Sequence, residues 1–388
     1  MIELFDKKKC CGCGACMQIC PKNCITMRAD NEGFFYPVVD TSVCVQCGAC
    51  EKVCPFNSVY EQQKPISTYG VINTNEQIRL TSSSGGAFTA LARTILRQNG
   101  VVFGACFDKD YQVVIAYAED EDSLEAFKGS KYVQAQVGES FSKCKFFLNQ
   151  NKVVLFSGTP CQISGLKHFL KRDYDNLYTV DVVCHGAPSP MVWKTYLNWC
   201  KRQNLGLSSI RNIFFRDKCS GWKGYSFTMK GQSCTLSTPY KYNPYMKAFL
   251  WDVILRPSCY ECKAKAGASH ADLTLGDFWG VDRIMPSVDD NKGVSLVLAN
   301  SIKGKELLNK TVELNVFDTD YDKAVYYNPA IVNPVKPHPK RNYFFKNFNS
   351  TDSFENLVEK CLKPSLNEKC VDALKRIYHK LFKKEIKK

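Results

Sequence analysis

CCGCGACMQICP at residues 10–21 and CVQCGACEKVCP at residues 44–55 are two copies of one cysteine-rich stretch. Each copy has the spacing C-x2-C-x2-C-x3-C followed by proline, with which bacterial ferredoxins bind 4Fe–4S clusters. In two-cluster ferredoxins the fourth cysteine of each run ligates the other cluster, so the eight cysteines separate into two crossed sets. The first predicted set is Cys10, Cys13, Cys16 and Cys54, and the second is Cys44, Cys47, Cys50 and Cys20.

A pair of zinc knuckles is the alternative interpretation of these cysteines. Zinc sites combine two cysteine pairs or add histidine, and the observed run does not have that spacing. No histidine precedes His168. Cys11 and Cys24 are left over and are interpreted as non-ligands, although Cys11 could replace Cys10 by a slip of one residue.

The composition is that of a globular protein. The chain has 388 residues, of which 45% are apolar and 23% charged, and this length is typical of two or three domains. No apolar run approaches the ~18 residues of a membrane-spanning helix, and the first residues contain no apolar stretch typical of a secretory signal. With 21 cysteines and no such signal, the pattern indicates metal binding in a reducing cytosol, so a cytoplasmic protein is expected.

The net charge of +14 is unevenly distributed along the chain. More than half of the basic excess lies beyond residue 330. A nucleic-acid-binding domain would interleave basic and aromatic residues in its working part, so no nucleic-acid partner is expected. Residues 371–382 have apolar side chains at three- and four-residue steps, beside a basic face. This pattern predicts a terminal helix that either packs on the core or helps to dock an electron-donor protein; membrane contact is not expected.

The remainder of the chain reads as mixed α/β structure. A glycine-rich loop opens a helix that ends at Asn99-Gly100, and a strand–loop–helix order occurs twice, over residues 152–172 and 177–204. Such repetition favours parallel strands. The predicted fold class is α+β, with three parts: a ferredoxin-like domain over 1–60, a larger mixed α/β domain over 68–335 and a basic helical tail over 340–388.

A third set of cysteines is predicted in the α/β domain. Cys161 and Cys184 each follow a predicted parallel strand, at the edge where open α/β sheets place their ligands. The turn Cys259-x2-Cys262 supplies two more thiols, enough for a further 4Fe–4S cluster. A buried free cysteine is the usual state of such residues, and five others are available. Cys161 and Cys184 are preferred because Gly and Pro bound their loops, over Cys106, Cys144, Cys200, Cys219 and Cys234.

Two loops are candidate anion sites. Ser82-Ser83-Ser84-Gly85-Gly86 opens a helix, so its backbone N–H groups could cradle a phosphate, or its serines could simply cap the helix. The basic loop over residues 128–133 could neutralise a phosphate or stack on a ring, or be a solvated turn. No catalytic residue is assigned. Asp277 could orient a flavin or substrate or cap a turn, and His185 could donate a proton, neighbour a cluster or be structural.

These motifs together resemble the coenzyme F420 hydrogenase/dehydrogenase beta subunit family, in its bacterial form with a fused two-cluster ferredoxin domain. The same fold family includes the 7-hydroxymethyl chlorophyll a reductases. The resemblance implies FAD in the α/β domain and supports Cys161, Cys184, Cys259 and Cys262 as ligands of a cluster beside it. It also implies flavin-site loops at Ser83, Ser84, Gly85 and Gly86, at Lys131 and Tyr132, and at Thr159, Pro160 and Gln162. The matching segments are SSSGGAFTAL, KGSKYVQ, FSGTPCQISGL, DVVCHGAPSP, RPSCYECKAK and ADLTLGDFWG.

The expected function is that of an iron–sulfur flavoprotein oxidoreductase. Electrons would pass between the ferredoxin-type clusters and FAD, with hydride exchange to an organic two-electron substrate, deazaflavin-like or other. A redox protein such as ferredoxin is the expected partner, and a homo-oligomer is left open. The alternative is a non-catalytic electron-transfer or redox-sensing subunit that docks a partner enzyme and holds no flavin.

Overall fold

The computed structural model describes residues 1–4, 6–207, 209–348 and 353–363. In the cysteine-rich segment, each C-x2-C-x2-C run turns into a short helix directly after a glycine in the left-handed region, Gly14 (φ 72°) and Gly48 (φ 71°). The two runs therefore adopt the same local turn. Between them lies an antiparallel hairpin. These elements are α1 (Ala15–Gln18), β1 (Ile25–Ala29), β2 (Phe35–Val39) and α2 (Ala49–Lys52).

An eight-stranded mixed sheet forms the centre of the molecule, in the order β13-β3-β12-β11-β7-β6-β4-β5. Strands β3, β4, β6, β7 and β11 run in one direction, so their carboxyl ends meet at one edge. The strands of this sheet are β3 (Ser67–Asn73), β4 (Val101–Phe107), β5 (Val113–Ala118), β6 (Val154–Gly158), β7 (Leu177–Val182), β11 (Leu273–Asp277), β12 (Ser295–Ala299) and β13 (Leu314–Asp318). A second sheet consists of β8 (Ile210–Asp217), β9 (Ser226–Gly231) and β10 (Thr235–Pro239).

Helices cover both faces of the central sheet. One face packs against α4 and α11, and the other packs against α6 and α7, onto which α1 of the cysteine-rich segment also packs. The helices after α2 are α3 (Glu76–Thr81), α4 (Ala87–Leu96), α5 (Glu121–Leu124), α6 (Ser140–Asn149), α7 (Pro160–Leu170), α8 (Pro190–Gln203), α9 (Pro244–Leu250), α10 (Val281–Ile284), α11 (Ile302–Lys310), α12 (Tyr321–Tyr327), α13 (Arg341–Asn347) and α14 (Phe354–Leu362).

A separate aromatic core joins the three-stranded antiparallel sheet β8–β10 to α8, α9 and α14. Trp193 lies at its centre, and its ring contacts those of Phe215 (5.1 Å) and Tyr245 (5.3 Å). This sheet brings β8 over the carboxyl edge of the central sheet, because the Arg216 side chain on β8 pairs with Asp277 at the end of β11. The second sheet therefore covers the edge at which the predicted ligand loops lie.

The α+β fold class is confirmed, and so are the parallel strands inferred from the repeated strand–loop–helix order. Helix α4 starts directly after the Ser82–Gly86 loop, as predicted. No sequence pattern indicated strands β1, β2, β3, β10 and β13. The tail begins with α13 and α14, but the amphipathic stripe at 371–382 lies outside the described residues. No described helix combines the length and the apolar character needed to cross a membrane.

Candidate functional site

The third predicted set of cysteines comes together at the carboxyl edge of the central sheet. Cys161 lies in the first turn of α7, just after β6, and Cys184 follows β7. Cys259 and Cys262 come from the 3-10 helix Pro257–Glu261 and the residue after it. Every pair among the four thiols interacts electrostatically. Burial is the main reason why the pKa of Cys259 rises to about 12 and that of Cys262 to about 11.

Local hydrogen bonds orient two of these thiols. The backbone N–H of Ala187 donates to Cys259 Sγ (3.3 Å), and the Thr159 hydroxyl lies 3.3 Å from Cys161 Sγ. Thr159 and Gln162 form a reciprocal capping box at the start of α7, with Pro160 in its first turn. The predicted flavin residues Thr159, Pro160 and Gln162 thus build the turn that presents Cys161. Their contact with a flavin stays a prediction.

Three members of the first ferredoxin-type set lie together. Cys16 interacts electrostatically with Cys10 and Cys54, and Cys54 interacts with Cys10; Cys50 of the second set also interacts with Cys16 and Cys54. Cys13 packs against α7 so closely that a Cβ atom added at Gly165 would lie 2.8 Å from the Cys13 Cβ. The first set therefore lies against the α/β domain, inside the core shared with α6 and α7.

The second ferredoxin-type set surrounds a cavity that is open to solvent at the outer end of the cysteine-rich segment. Cys47 is exposed there, whereas Cys50 is buried. The left-over Cys24 also lines the cavity, and its thiol lies 3.3 Å from that of Cys20. The four predicted ligands on the cavity wall are Cys20, Cys44, Cys47 and Cys50.

These sets suit clusters better than single ions. No three His, Cys, Asp or Glu side chains of the described residues are grouped so that they could hold one metal ion. A 4Fe–4S cluster takes one thiolate at each of its four irons, so its ligands surround a cage and do not converge on a point. Thiols in sets of four are the donors that such a cage requires.

Cys11 lies between the first and third cysteine sets, a position that could not be predicted from the sequence. Its thiol lies close enough to interact with both Cys13 of the first set and Cys161 of the third. Tyr60, from the segment after the second run, interacts with Ser164, Cys11 and Cys161. Because Cys10 is the residue beside Cys16 and Cys54, the geometry favours Cys10 as the ligand. Cys11 bridges the first and third sets.

The two predicted flavin loops touch one another. The Ser83 hydroxyl accepts hydrogen bonds from the backbone N–H of Ser130 (2.7 Å) and from its hydroxyl (3.0 Å). From the end of β8, Lys218 Nζ donates to the carbonyl oxygens of Ser84 (2.5 Å) and Lys292 (2.7 Å). The loops at residues 82–86 and 128–133 and the end of β8 therefore form one wall.

Within this wall, the glycine at position 85 is required by the sheet. A Cβ atom at Gly85 would lie 2.3 Å from the Val71 carbonyl oxygen and 2.5 Å from the Ser295 nitrogen, and its N–H donates to the Ser295 hydroxyl (3.0 Å). Packing against β3 and β12 is therefore enough to require glycine at this position, and phosphate binding by the loop stays a prediction. Gly86 caps α4 with φ 84°. In the loop over residues 82–86, the backbone N–H groups of Ser83, Ser84 and Gly86 make no hydrogen bond within the described residues.

The basic loop contributes an aromatic ring, while its lysine is used internally. Lys131 Nζ donates to the carbonyl oxygens of Ala126 (2.8 Å) and Lys128 (2.9 Å), and burial lowers its pKa to about 7. Tyr132 stacks on Phe249 with ring centroids 4.7 Å apart. Phe249 in turn contacts the ring of His185 edge-on at 5.0 Å, directly beside Cys184. Aromatic contacts therefore lead from the third cysteine set to Tyr132.

Arg216 is the functional candidate that sequence reasoning missed. It is buried, its Nη1 pairs with the carboxylate of Asp277, and its guanidinium lies between the rings of Tyr225 (4.4 Å) and Trp279 (5.2 Å). Its Nε and Nη2 have no partner with hydrogen-bonding geometry among the described residues, although the Tyr132 hydroxyl lies close enough to interact with the guanidinium. Buried donors are almost always satisfied, so these two N–H groups indicate a site for an anion or a carbonyl group. In the sequence, a charged residue directly after the aromatic pair of the strand segment IFFRD could have indicated Arg216 as a functional residue.

Asp277 and His185 both have protein partners. Asp277 Oδ1 accepts a hydrogen bond from the Trp222 indole N–H (3.1 Å), so the carboxylate serves to fix Arg216 and Trp222. His185 Nε2 lies 2.7 Å from Asp252 Oδ1, and its ring is half-buried. Asp277 is thus placed beside the Arg216 donors, and His185 is placed beside the third cysteine set.

Comparisons with known proteins match this arrangement to one family. Models for the N-terminal and C-terminal parts of the coenzyme F420 hydrogenase/dehydrogenase beta subunit match residues 68–141 and 151–323, together more than half of the chain. A 4Fe–4S dicluster domain model matches residues 9–58. A chain in the xenon-derivatised F420-reducing NiFe hydrogenase complex from Methanosarcina barkeri is similar at 17% identity and a TM-score of 0.47, over 78% of this chain and 94% of that one. No curated protein matches the chain.

Proposed function

Since the chain belongs to the coenzyme F420 hydrogenase/dehydrogenase beta subunit family, and since residues 9–58 are a 4Fe–4S dicluster domain, we propose that it is a three-cluster flavoprotein oxidoreductase. It passes electrons between a redox protein and an organic two-electron substrate. The observation that carries the proposal is that the three cysteine sets follow one another through the fold and end at the aromatic contacts beside Arg216.

The cysteine sets define an order for electron transfer. The second set is open to solvent at Cys47, so it is the natural contact point for a protein donor or acceptor such as ferredoxin. The first set comes next, and Cys11 joins it to the third set through contacts with Cys13 and Cys161. Cluster potentials cover roughly −700 to +450 mV, and therefore either direction of flow is compatible with this order.

The residues around Arg216 fit a flavin. The free N–H groups of Ser83, Ser84 and Gly86 lie at the start of α4, where a pyrophosphate is stabilised by the helix dipole. The two unpartnered N–H groups of Arg216 match the carbonyl-bearing edge of a flavin ring. When bound, FAD would supply the exchange between one-electron and two-electron chemistry. In this proposal Tyr132 and Phe249 exclude water between that site and the third cysteine set.

The substrate class stays broad. Within this proposal it is an organic two-electron carrier, either a deazaflavin or another hydride acceptor. Arg216 and Asp277 present donors and an acceptor side by side, which suits a planar ring that carries both kinds of group. The competing function is a flavin-free electron-transfer or redox-sensing subunit that docks a partner enzyme.

Anaerobic purification followed by iron, sulfide and flavin analysis tests the proposal. We expect about twelve irons and about twelve sulfides per chain, from three 4Fe–4S clusters, together with about one non-covalent FAD. Protein that holds all three clusters but takes up no FAD on reconstitution would support the flavin-free function. Protein with about eight irons would leave only the dicluster domain and contradict the third cluster.

A further inference from the structure

Arg256 lies between the cysteine-rich segment and the third cysteine set. It directly precedes the 3-10 helix Pro257–Glu261, which carries Cys259, and its side chain is 1% exposed. Its Nε donates to the Cys10 carbonyl oxygen (2.7 Å) and its Nη2 to that of Phe35 (3.0 Å). Its Nη1 donates to Gln134 Oε1 (3.1 Å). One side chain therefore holds together the first cysteine run, the hairpin and the α/β domain.

The same guanidinium faces thiols of two different sets. Its Nη2 donates to Cys10 Sγ at 3.6 Å. The pKa of Cys259 is raised by burial and that of Cys161 by its contact with Cys11 and by burial, and the charge of Arg256 opposes both rises. On its other side, the ring of Tyr36 lies 4.1 Å away. The cation thus lies between Cys10 of the first set and two members of the third.

The absence of a carboxylate partner distinguishes Arg256. Four arginines are buried among the described residues, and three of them form ion pairs: Arg79 with Asp290, Arg216 with Asp277, and Arg341 with Glu32. Within those residues, Arg256 forms no ion pair with Asp or Glu. A buried cation without a counter-charge is strongly unfavourable, so an anion is expected beside it. Thiolate-bound clusters would supply that negative charge.

We propose that Arg256 is the shared counter-ion of the first and third clusters; this rests on the cluster assignment of the proposed function. Each cluster becomes more negative by one charge when it accepts an electron from a donor, so a fixed cation beside it favours the reduced form. The N–H donated to Cys10 Sγ acts in the same direction. Arg256 therefore raises the reduction potentials of both clusters, while the second cluster, whose cysteines it does not contact, is unaffected.

Redox titration monitored by EPR on the anaerobically purified protein tests this inference. Arg256→Gln removes the charge, and we expect the potentials of the first and third clusters to become more negative while that of the second stays unchanged. Signals of the second cluster are assigned with Cys47→Ser. Arg79→Gln is the matched control, because it also removes a buried guanidinium but one that contacts no predicted ligand. We expect it to leave all three potentials unchanged.

Gln134→Glu keeps Arg256 in place and supplies the missing carboxylate at 3.1 Å, so it decides the question if Arg256→Gln fails to fold or loses iron. We expect the same negative shifts, with full iron content. Wild-type potentials in Gln134→Glu, or equal shifts of all three clusters, would overturn the inference. Wild-type protein with two clusters would contradict the third cluster of the proposed function, while the first cluster would still report on Arg256.

Discussion

At the scale of single residues, Cys184 is a direct test of the third cluster. It is partly buried and interacts with each of the other three thiols of its set. Serine in its place removes one ligand, so we expect Cys184→Ser to lower the iron content from about twelve to about eight per chain, with the dicluster signals retained. Cys234→Ser, in a partly buried thiol outside the three sets, should keep all its iron. Equal iron in both variants would contradict the assignment.

Arg216 tests the flavin site in the same way. Arg216→Met keeps the apolar length of the side chain but removes the two unpartnered N–H groups, so we expect the flavin content to fall severalfold. Iron should stay unchanged because Arg216 contacts none of the predicted cluster ligands. Arg211→Met, at an exposed position of the same strand, is the control and should retain flavin. Undiminished flavin in Arg216→Met would place the cofactor elsewhere.

Asp181 should give the stability a dependence on pH. Burial raises the pKa of this carboxyl from 3.8 to about 6, and its Oδ1 has no hydrogen-bond partner within the described residues. Between pH 3.8 and about 6 the folded chain keeps a proton that the unfolded chain releases. The free energy of unfolding therefore falls as the pH rises through this range, and above about pH 6 it no longer changes with the ionisation of Asp181. The full effect corresponds to about 3 kcal/mol.

Asp181→Asn removes this ionisation. Relative to the wild type, the variant should gain roughly 1.5 kcal/mol in free energy of unfolding between pH 5 and pH 8. Denaturant unfolding at the two pH values measures the difference. A constant difference between the two proteins would show that Asp181 does not titrate in this range.

The site residues that could be predicted from the sequence are the cysteines, because their spacing alone indicates cluster binding. Two C-x2-C-x2-C-x3-C runs require nothing from the rest of the fold, and the structure brings three members of the first set together as expected. Arg216, Arg256 and Cys11 could not be predicted in this way. Their roles depend on partners far away in sequence, such as Asp277 for Arg216 and Cys161 for Cys11.

At the scale of elements, Thr159 at the start of α7 affects both the stability of the helix and the site of the proposed third cluster. Thr159 caps the helix and also contacts Cys161 Sγ, so Thr159→Ala should cost about 1 kcal/mol of stability and change the potential of the third cluster. Asp320→Ala removes a similar cap from α12, away from the cysteines, and should cost a similar amount without changing any potential. Denaturant unfolding and redox titration measure the two effects separately.

Some strands of the central sheet could be predicted from sequence patterns and others could not. Strands β6 and β7 were predictable because a glycine-bounded apolar run is followed each time by a helix. Strand β3 was not predictable, because it becomes an interior strand of the sheet only by pairing with β12 and β13. Both of these strands are more than 200 residues away in the sequence. The same pairing explains Gly85, which is packed against β3 and β12. A Gly85→Asp variant would therefore report on folding and could not test phosphate binding.

At the scale of the whole molecule, the two ferredoxin-type sets differ in how they join the α/β domain. Cys13 and Cys16 lie in one core with Phe141, Ile163 and Leu166 from α6 and α7. Cys50 of the second set also lies in that core, whereas Cys47 is open to solvent on the outer side, where Val45 is 56% exposed. A defect at Cys13 should therefore affect the α/β domain more than a defect at Cys47.

Cys13→Ser and Cys47→Ser test this difference, since each removes one thiolate from one predicted cluster. Losing the first cluster leaves unpaired polar groups and a void in the shared core, so we expect Cys13→Ser to lower the melting temperature of the α/β domain by several degrees. Cys47→Ser should lose similar iron with little change in that temperature, because its site is at the surface. Calorimetry under anaerobic conditions, with iron analysis of the same samples, measures both. Equal melting temperatures at equal iron loss would show that the first set contributes no more to the α/β core than the second does.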